Sequence, residues 1–177
     1  MRGLANDGFL RYAFLTMKIQ RVYVDTSVIG GCFDEEFAPW SKGLMQDFLH
    51  GIFKPVLSEI VAAEIAPAPE QVRAQYAELL ALEPQFAELT DEVHQLAAVY
   101  EARRILPAKF SNDALHIALA TVAEVDLLVS WNFKHIVRFD KVRLFNAVNQ
   151  ECGYKPIEIY SPREVTTYGE GTNAEDS

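Results

Sequence analysis

The chain has 177 residues, half of them hydrophobic, with a formal net charge of -9 and a pI near 4.9. This length buries one sizeable core and requires no second domain. The acidic balance excludes a surface that attracts nucleic acid all over, so a polyanion would have to meet a local basic patch or a bound cation. Cys32 and Cys152 are too few and too far apart for a disulfide framework or a zinc cluster, and read as reduced thiols.

Residues 1–16 are interrupted by Asn6, Asp7, Gly8 and Arg11 before any signal-like run forms, so neither export nor membrane insertion is expected and the expected location is cytoplasmic. Met17 followed by Lys18-Ile19-Gln20-Arg21 reads as an ordinary start, which makes residues 1–16 an upstream or disordered extension. Residues 17–168 read as one domain, and the small, acidic residues 169–177 as a mobile tail. Val22-Tyr23-Val24 predicts a first strand. The apolar spacing of Leu44, Met45, Phe48 and Leu49 predicts a helix over 41–50, stopped by Gly51. Pro55-Val56-Leu57 predicts a second strand, and Ser58 the N-cap of a helix over 59–65 that ends at Pro67 and Pro69. Helices follow at 70–82, 91–105 and 111–123, then a strand at 126–130, a helix at 141–149 and a last strand at 157–160. Short apolar strands alternating with helices predict an α/β fold with helices on both faces of a parallel sheet.

Functional groups in such a sheet gather outside the carboxyl ends of the strands. Asp25 is placed there, where it serves a site, caps the next helix or closes a turn with Thr26 and Ser27. In the helix that follows Ser58, an advance of about 100° per residue puts Glu64 between Ile60 and Val61 on the apolar side. Glu59, in the first turn, needs no role beyond favouring the helix dipole. A carboxylate flanked by isoleucine and valine is more often paired, protonated or metal-bound. Asp113 opens a helix that is apolar almost all round, and by itself suits a first-turn charge. His116, one turn on, reads as a hydrogen-bonded histidine at the core margin in preference to a ligand. Asn132 ends a buried strand, Leu127 to Ser130, and by itself suits a turn. Lys134, His135, Arg138, Lys141 and Arg143 then form the densest basic stretch of the chain.

Taken in order, YVDTSVIG, SEIVAAEI, DALHIALA and LVSWNFKHI resemble the PIN domain family, and in particular the VapC-like toxins of bacterial toxin-antitoxin pairs, over residues 17 to about 165. The resemblance implies a three-layer α/β/α sandwich with a mainly parallel central sheet. It also implies that Asp25, Glu64 and Asp113 are metal-binding acids, that Asn132 takes a fourth catalytic position often held by Asp, and that Ser27, Ser130 and His116 support them. An amide at position 132 adds no charge, so one resident Mg²⁺ or Mn²⁺ is expected, with any second ion arriving with substrate. The implied activity is metal-dependent hydrolysis of RNA phosphodiester bonds without a covalent nucleophile, on a basic rim supplied by Lys109, Lys134, Arg138 or Lys141. The implied partners are an antitoxin that covers the acidic cleft and a second copy of the chain in a homodimer. Two rival readings compete with this one. A catalytically weakened module would keep the fold and bind RNA or protein. A phosphatase using Asp25 as nucleophile would want a second Asp where Ser27 stands.

Overall fold

Five short strands form the centre of the computed structural model, which describes residues 18–168. The expectations for residues 1–16, for Met17 as a start and for residues 169–177 lie outside that range. β1 (Gln20–Val24), β2 (Phe53–Ser58), β3 (Gln85–Ala87), β4 (Leu127–Val129) and β5 (Glu158–Tyr160) run parallel in the order β3-β2-β1-β4-β5. β1 is central, with Tyr23 in register with Val56 on one side and Leu128 on the other. Val22, Tyr23, Val24, Val56, Leu57, Leu128 and Val129 are wholly buried, as near-continuous apolar runs in a parallel sheet require.

The helices are α1 (Thr26–Gly31), α2 (Ala38–Leu49), α3 (Glu59–Ile65), α4 (Glu70–Leu80), α5 (Asp91–Ala102), α6 (Ser111–Val122), α7 (Phe139–Glu151) and α8 (Pro162–Val165), with a 3-10 turn at Ala108–Phe110. The connections from β1 through β3 step one way across the sheet, and those from β3 through β5 step the other. Right-handed crossovers then put the two sets of helices on opposite faces. The packing agrees: α5 lies against α6 and α7, while α2 touches α1 and α8, and α1 touches α3 and α4. The three-layer α/β/α sandwich expected from sequence is therefore the observed one.

Local rules account for most boundaries. Ser58 caps α3 by accepting from the Val61 N–H at 3.4 Å, and Gly51, at φ +72, turns the chain out of α2 in the left-handed region that glycine favours. α1, β3 and α8 were not anticipated. α1 is one short turn ending in two glycines, β3 is a three-residue edge, and α8 is four residues held by a Ser161–Glu164 capping box. None carries enough periodicity to read. Gly31 is more than a turn residue. A Cβ there would stand 2.6 Å from Ser41 Oγ and 2.7 Å from Trp131 Nε1, two groups that are themselves bonded at 2.8 Å.

The strand order reverses direction between β1 and β4. At such a switch point the loops leaving adjacent strands part and open a crevice. Asp25 and Ser130, which follow those two strands, stand at its mouth.

Candidate active site

Asp25 occupies the N-cap position of α1 with extended backbone, but its side chain caps nothing. Its Oδ2 instead accepts from Ser27 Oγ at 2.6 Å and Ser130 Oγ at 2.7 Å. Each serine in turn accepts a backbone N–H from the end of β4, Trp131 to Ser27 and Asn132 to Ser130, both at 2.9 Å. The two hydroxyls therefore clamp a carboxylate that is only 5% exposed. Its Oδ1 faces His116, whose Nε2 is 3.5 Å away. Of the sequence readings for Asp25, this geometry removes the helix cap, while Ser27 bonds to its side chain.

Glu64 reaches the same point from α3. Its Oε2 accepts from the Thr26 hydroxyl and lies 3.1 Å from His116 Nε2, while Oε1 accepts from Asn112 Nδ2 at 3.0 Å. Burial alone would push its pKa up. The bond and charge of His116, with the bonds from Thr26 and Asn112, outweigh that and lower it to about 2. Glu59 is exposed, as the angular argument required.

His116 stands between the two acids. It is 1% exposed on α6, and its Nδ1 is 2.8 Å from the Tyr23 hydroxyl, which is itself 2.8 Å from Ser58 Oγ. Burial disfavours the imidazolium, but Glu64 and Asp25 overcome it and raise its pKa. Tyr23 is held as a neutral phenol, since burial pushes its pKa far up.

Asp113, in the first turn of α6, binds elsewhere: its Oδ2 is 2.9 Å from His135 Nδ1. Burial pushes its carboxyl up, the His135 charge pulls it down and the nearby Asp25 raises it again, for a net rise. The His135 ring packs 3.7 Å from that of Phe110, and its backbone N–H donates to Asn132 Oδ1 at 3.0 Å. The carbonyl oxygen of the Asn132 amide is thus taken up in holding the turn after β4, with the Asn132 backbone carbonyl accepting from Ile136 and Val137. This is the turn role open to Asn132 from sequence, and the amide also favours the ionised form of Asp113.

The basic candidates divide. Lys109, above the Phe110 ring at 4.9 Å, and Lys134 are exposed. Arg138 is exposed and paired with Asp140 at 2.7 Å. The ammonium of Lys141 is tied to the Ile105 carbonyl, which gives it a structural partner. Thr26, Asn112, Tyr23 and the Asp113 partner His135 escaped the sequence reading as site members. Thr26 and Asn112 directly adjoin Asp25 and Asp113 in the motifs, and that adjacency was the available signal.

The donor atoms of Asp25, Glu64 and His116 all lie within 4.8 Å of one another. The resemblance had put Asp113 in that trio. Neighbouring corners of an octahedron with bonds of about 2.1 Å are about 3.0 Å apart. The 3.1 and 3.5 Å separations from His116 Nε2 to the two carboxylates are close to that, so the donor set fits one divalent ion.

A comparison with protein-family models matches the PIN domain over residues 22–141, a span that holds Asp25, Glu64, Asp113 and Asn132. The curated proteins compared give no match. Among solved structures, the chain is similar to one from the crystal structure of VapBC2 from Rickettsia felis bound to a DNA fragment from its promoter. The TM-score is 0.50 at 13% identity, covering 80% of this chain and 98% of that one, a likeness of fold alone. With the family model matched across most of the described sheet, and with the switch-point acids lying inside that match, the chain belongs to the PIN domain family.

Proposed function

We propose that the protein is a divalent-metal-dependent endoribonuclease that hydrolyses RNA phosphodiester bonds, and that it is the toxin component of a toxin-antitoxin pair. The observation that carries the catalytic part is the convergence of Asp25 and Glu64, with Asp113 close enough to feel the Asp25 charge, at the switch point of a PIN domain. Asp25 and Glu64 are held by Ser27, Ser130, Thr26, Asn112 and His116, and Asp113 by His135, and among the described residues no lysine or arginine pairs with any of them, which leaves the site open to a cation. When bound, Mg²⁺ or Mn²⁺ supplies Lewis-acid polarisation of a phosphoryl oxygen and acidifies attacking water.

The protein's own groups do the rest. Ser27 and Ser130 fix the orientation of Asp25, and Thr26 and Asn112 fix that of Glu64, so neither carboxylate reorganises as charge develops. Asp113, oriented by His135, orients the attacking water and accepts its proton. Lys109, Lys134 and Arg138 lie exposed to meet the flanking phosphates. The toxin part is supported by the shared fold with a chain of the VapBC2 complex, and it implies an antitoxin that covers the acidic crevice, a homodimer and a cytoplasmic site of action. No helix among the described residues is long and apolar enough to cross a membrane, which fits that reading.

The test is cleavage of an end-labelled mixed RNA pool by purified protein with Mn²⁺, Mg²⁺ or EDTA, beside Asp25→Asn and Asp113→Asn. Metal-dependent cutting that both variants lose by about a hundredfold or more is expected. Folded wild-type protein that binds metal and RNA without cutting would move the assignment to a binding module.

A further inference from the structure

Resting on that metal-dependent reading, we infer that His116 is itself a ligand of the resident ion, which makes the site a two-carboxylate, one-imidazole centre that prefers Mn²⁺ to Mg²⁺. Three observations carry it. His116 Nε2 lies 3.5 Å from Asp25 Oδ1 and 3.1 Å from Glu64 Oε2, and the three donors form the compact set at the switch point. The ring is 1% exposed and cannot swing out to solvent. Its other nitrogen is fixed at 2.8 Å by the Tyr23 hydroxyl, which Ser58 fixes in turn, the outer support that metal-ligating histidines typically have.

A histidine that serves only to pair with acids has no need of a buried two-step relay to set its ring angle. One that must offer a lone pair along a given direction does. Asp113, the acid expected in this place, is instead held by His135. The chemical consequence is selectivity. Mg²⁺ is a hard ion that takes oxygen donors and keeps several waters, whereas imidazole suits transition-series ions. Replacing a carboxylate by a nitrogen donor therefore weakens the hold on Mg²⁺ more than on Mn²⁺.

The experiment uses the full chain stripped of metal by chelation, then loaded with Mn²⁺ and read by pulsed EPR. A nitrogen coupling of directly bound imidazole is expected in the wild type and in His135→Gln, and is expected to vanish in His116→Gln. Calorimetric titration is expected to show Mn²⁺ binding at least about tenfold tighter than Mg²⁺, a gap that His116→Gln closes. Mn²⁺ bound without nitrogen coupling, or a coupling lost in His135→Gln, overturns the inference, as does failure of Mn²⁺ to bind. If His116→Gln does not fold, the wild-type and His135→Gln spectra still decide. Metal-dependent RNA cleavage with no nitrogen coupling sinks the ligand role and leaves the nuclease reading standing. Coupling without cleavage does the reverse.

Discussion

Single residues at the switch point do work that their types alone do not announce. Ser130 is fully buried and donates to Asp25 while accepting from the Asn132 N–H, so its hydroxyl links the carboxylate to the chain direction after β4. Ser130→Ala removes both bonds in a dry setting. About 1–3 kcal/mol of stability is expected to go, read by denaturant titration. A 10–100-fold fall in metal affinity is expected by calorimetry, the usual cost of losing a group that orients a ligand. His135→Ala releases the Asp113 carboxylate while the backbone N–H at 135 still holds the Asn132 turn. RNA cleavage is expected to fall by about 10²–10⁴ in kcat, the range for a mispositioned general base, with Mn²⁺ affinity nearly unchanged.

Elements are held together by contacts that no periodicity reveals. Asp126 accepts the Arg21 backbone N–H and the Lys18 ammonium, both at 2.7 Å, and so fastens the start of β1 to the start of β4. Burial pushes its carboxyl up slightly, but the Arg21 N–H and Lys18 hold it below the usual range. A depressed folded pKa contributes stability above the unfolded value of about 3.9, and that stability is lost as pH falls through the folded value. Asp126→Ala is therefore expected to cost about 1 kcal/mol at pH 7 and progressively less as the pH falls below the unfolded value, checked by thermal melts across the acid range. Gly31 ties α1 to the Trp131–Ser41 pair. Gly31→Ala drives a methyl into a rigid indole and is expected to cost about 1–3 kcal/mol, with Trp131 fluorescence reporting the shift. Buried Asp47 plays a similar part for the segment after α8, accepting from the Thr166 hydroxyl at 2.7 Å and from the Thr167 N–H at 3.0 Å.

The whole molecule is acidic, so its field opposes RNA at long range and only local cations draw it in. Three of the four basic candidates, Lys109, Lys134 and Arg138, remain exposed, since Lys141 is occupied by the Ile105 carbonyl. Single-stranded RNA binding in EDTA, followed by fluorescence anisotropy, is therefore expected to show a shallow salt dependence, with log K falling against log salt at a slope of about −2. Replacing Lys109 and Lys134 together by Ala is expected to bring that slope below about −1 in magnitude. A steep slope that survives the double substitution would mean that the strand runs over another face.

Strand and helix content, the parallel sheet, the place of Asp25 and the burial of Glu64 over Glu59 were all determined by the order of residues along the chain. Each follows from period, breaker residues or position in a turn, which are local properties. The short α1, β3 and α8 escaped because they are stabilised by contact rather than by pattern. The partnering of the site was decided by tertiary structure alone. Glu64 and His116 are 52 positions apart, and Asp25 and Ser130 are 105 apart, distances over which no spacing rule operates. His116 reads in isolation as a core histidine. Only when β1 brings Tyr23 behind its ring, and α3 brings Glu64 in front, does the same imidazole acquire a direction, because a ring nitrogen is set by what the other nitrogen binds.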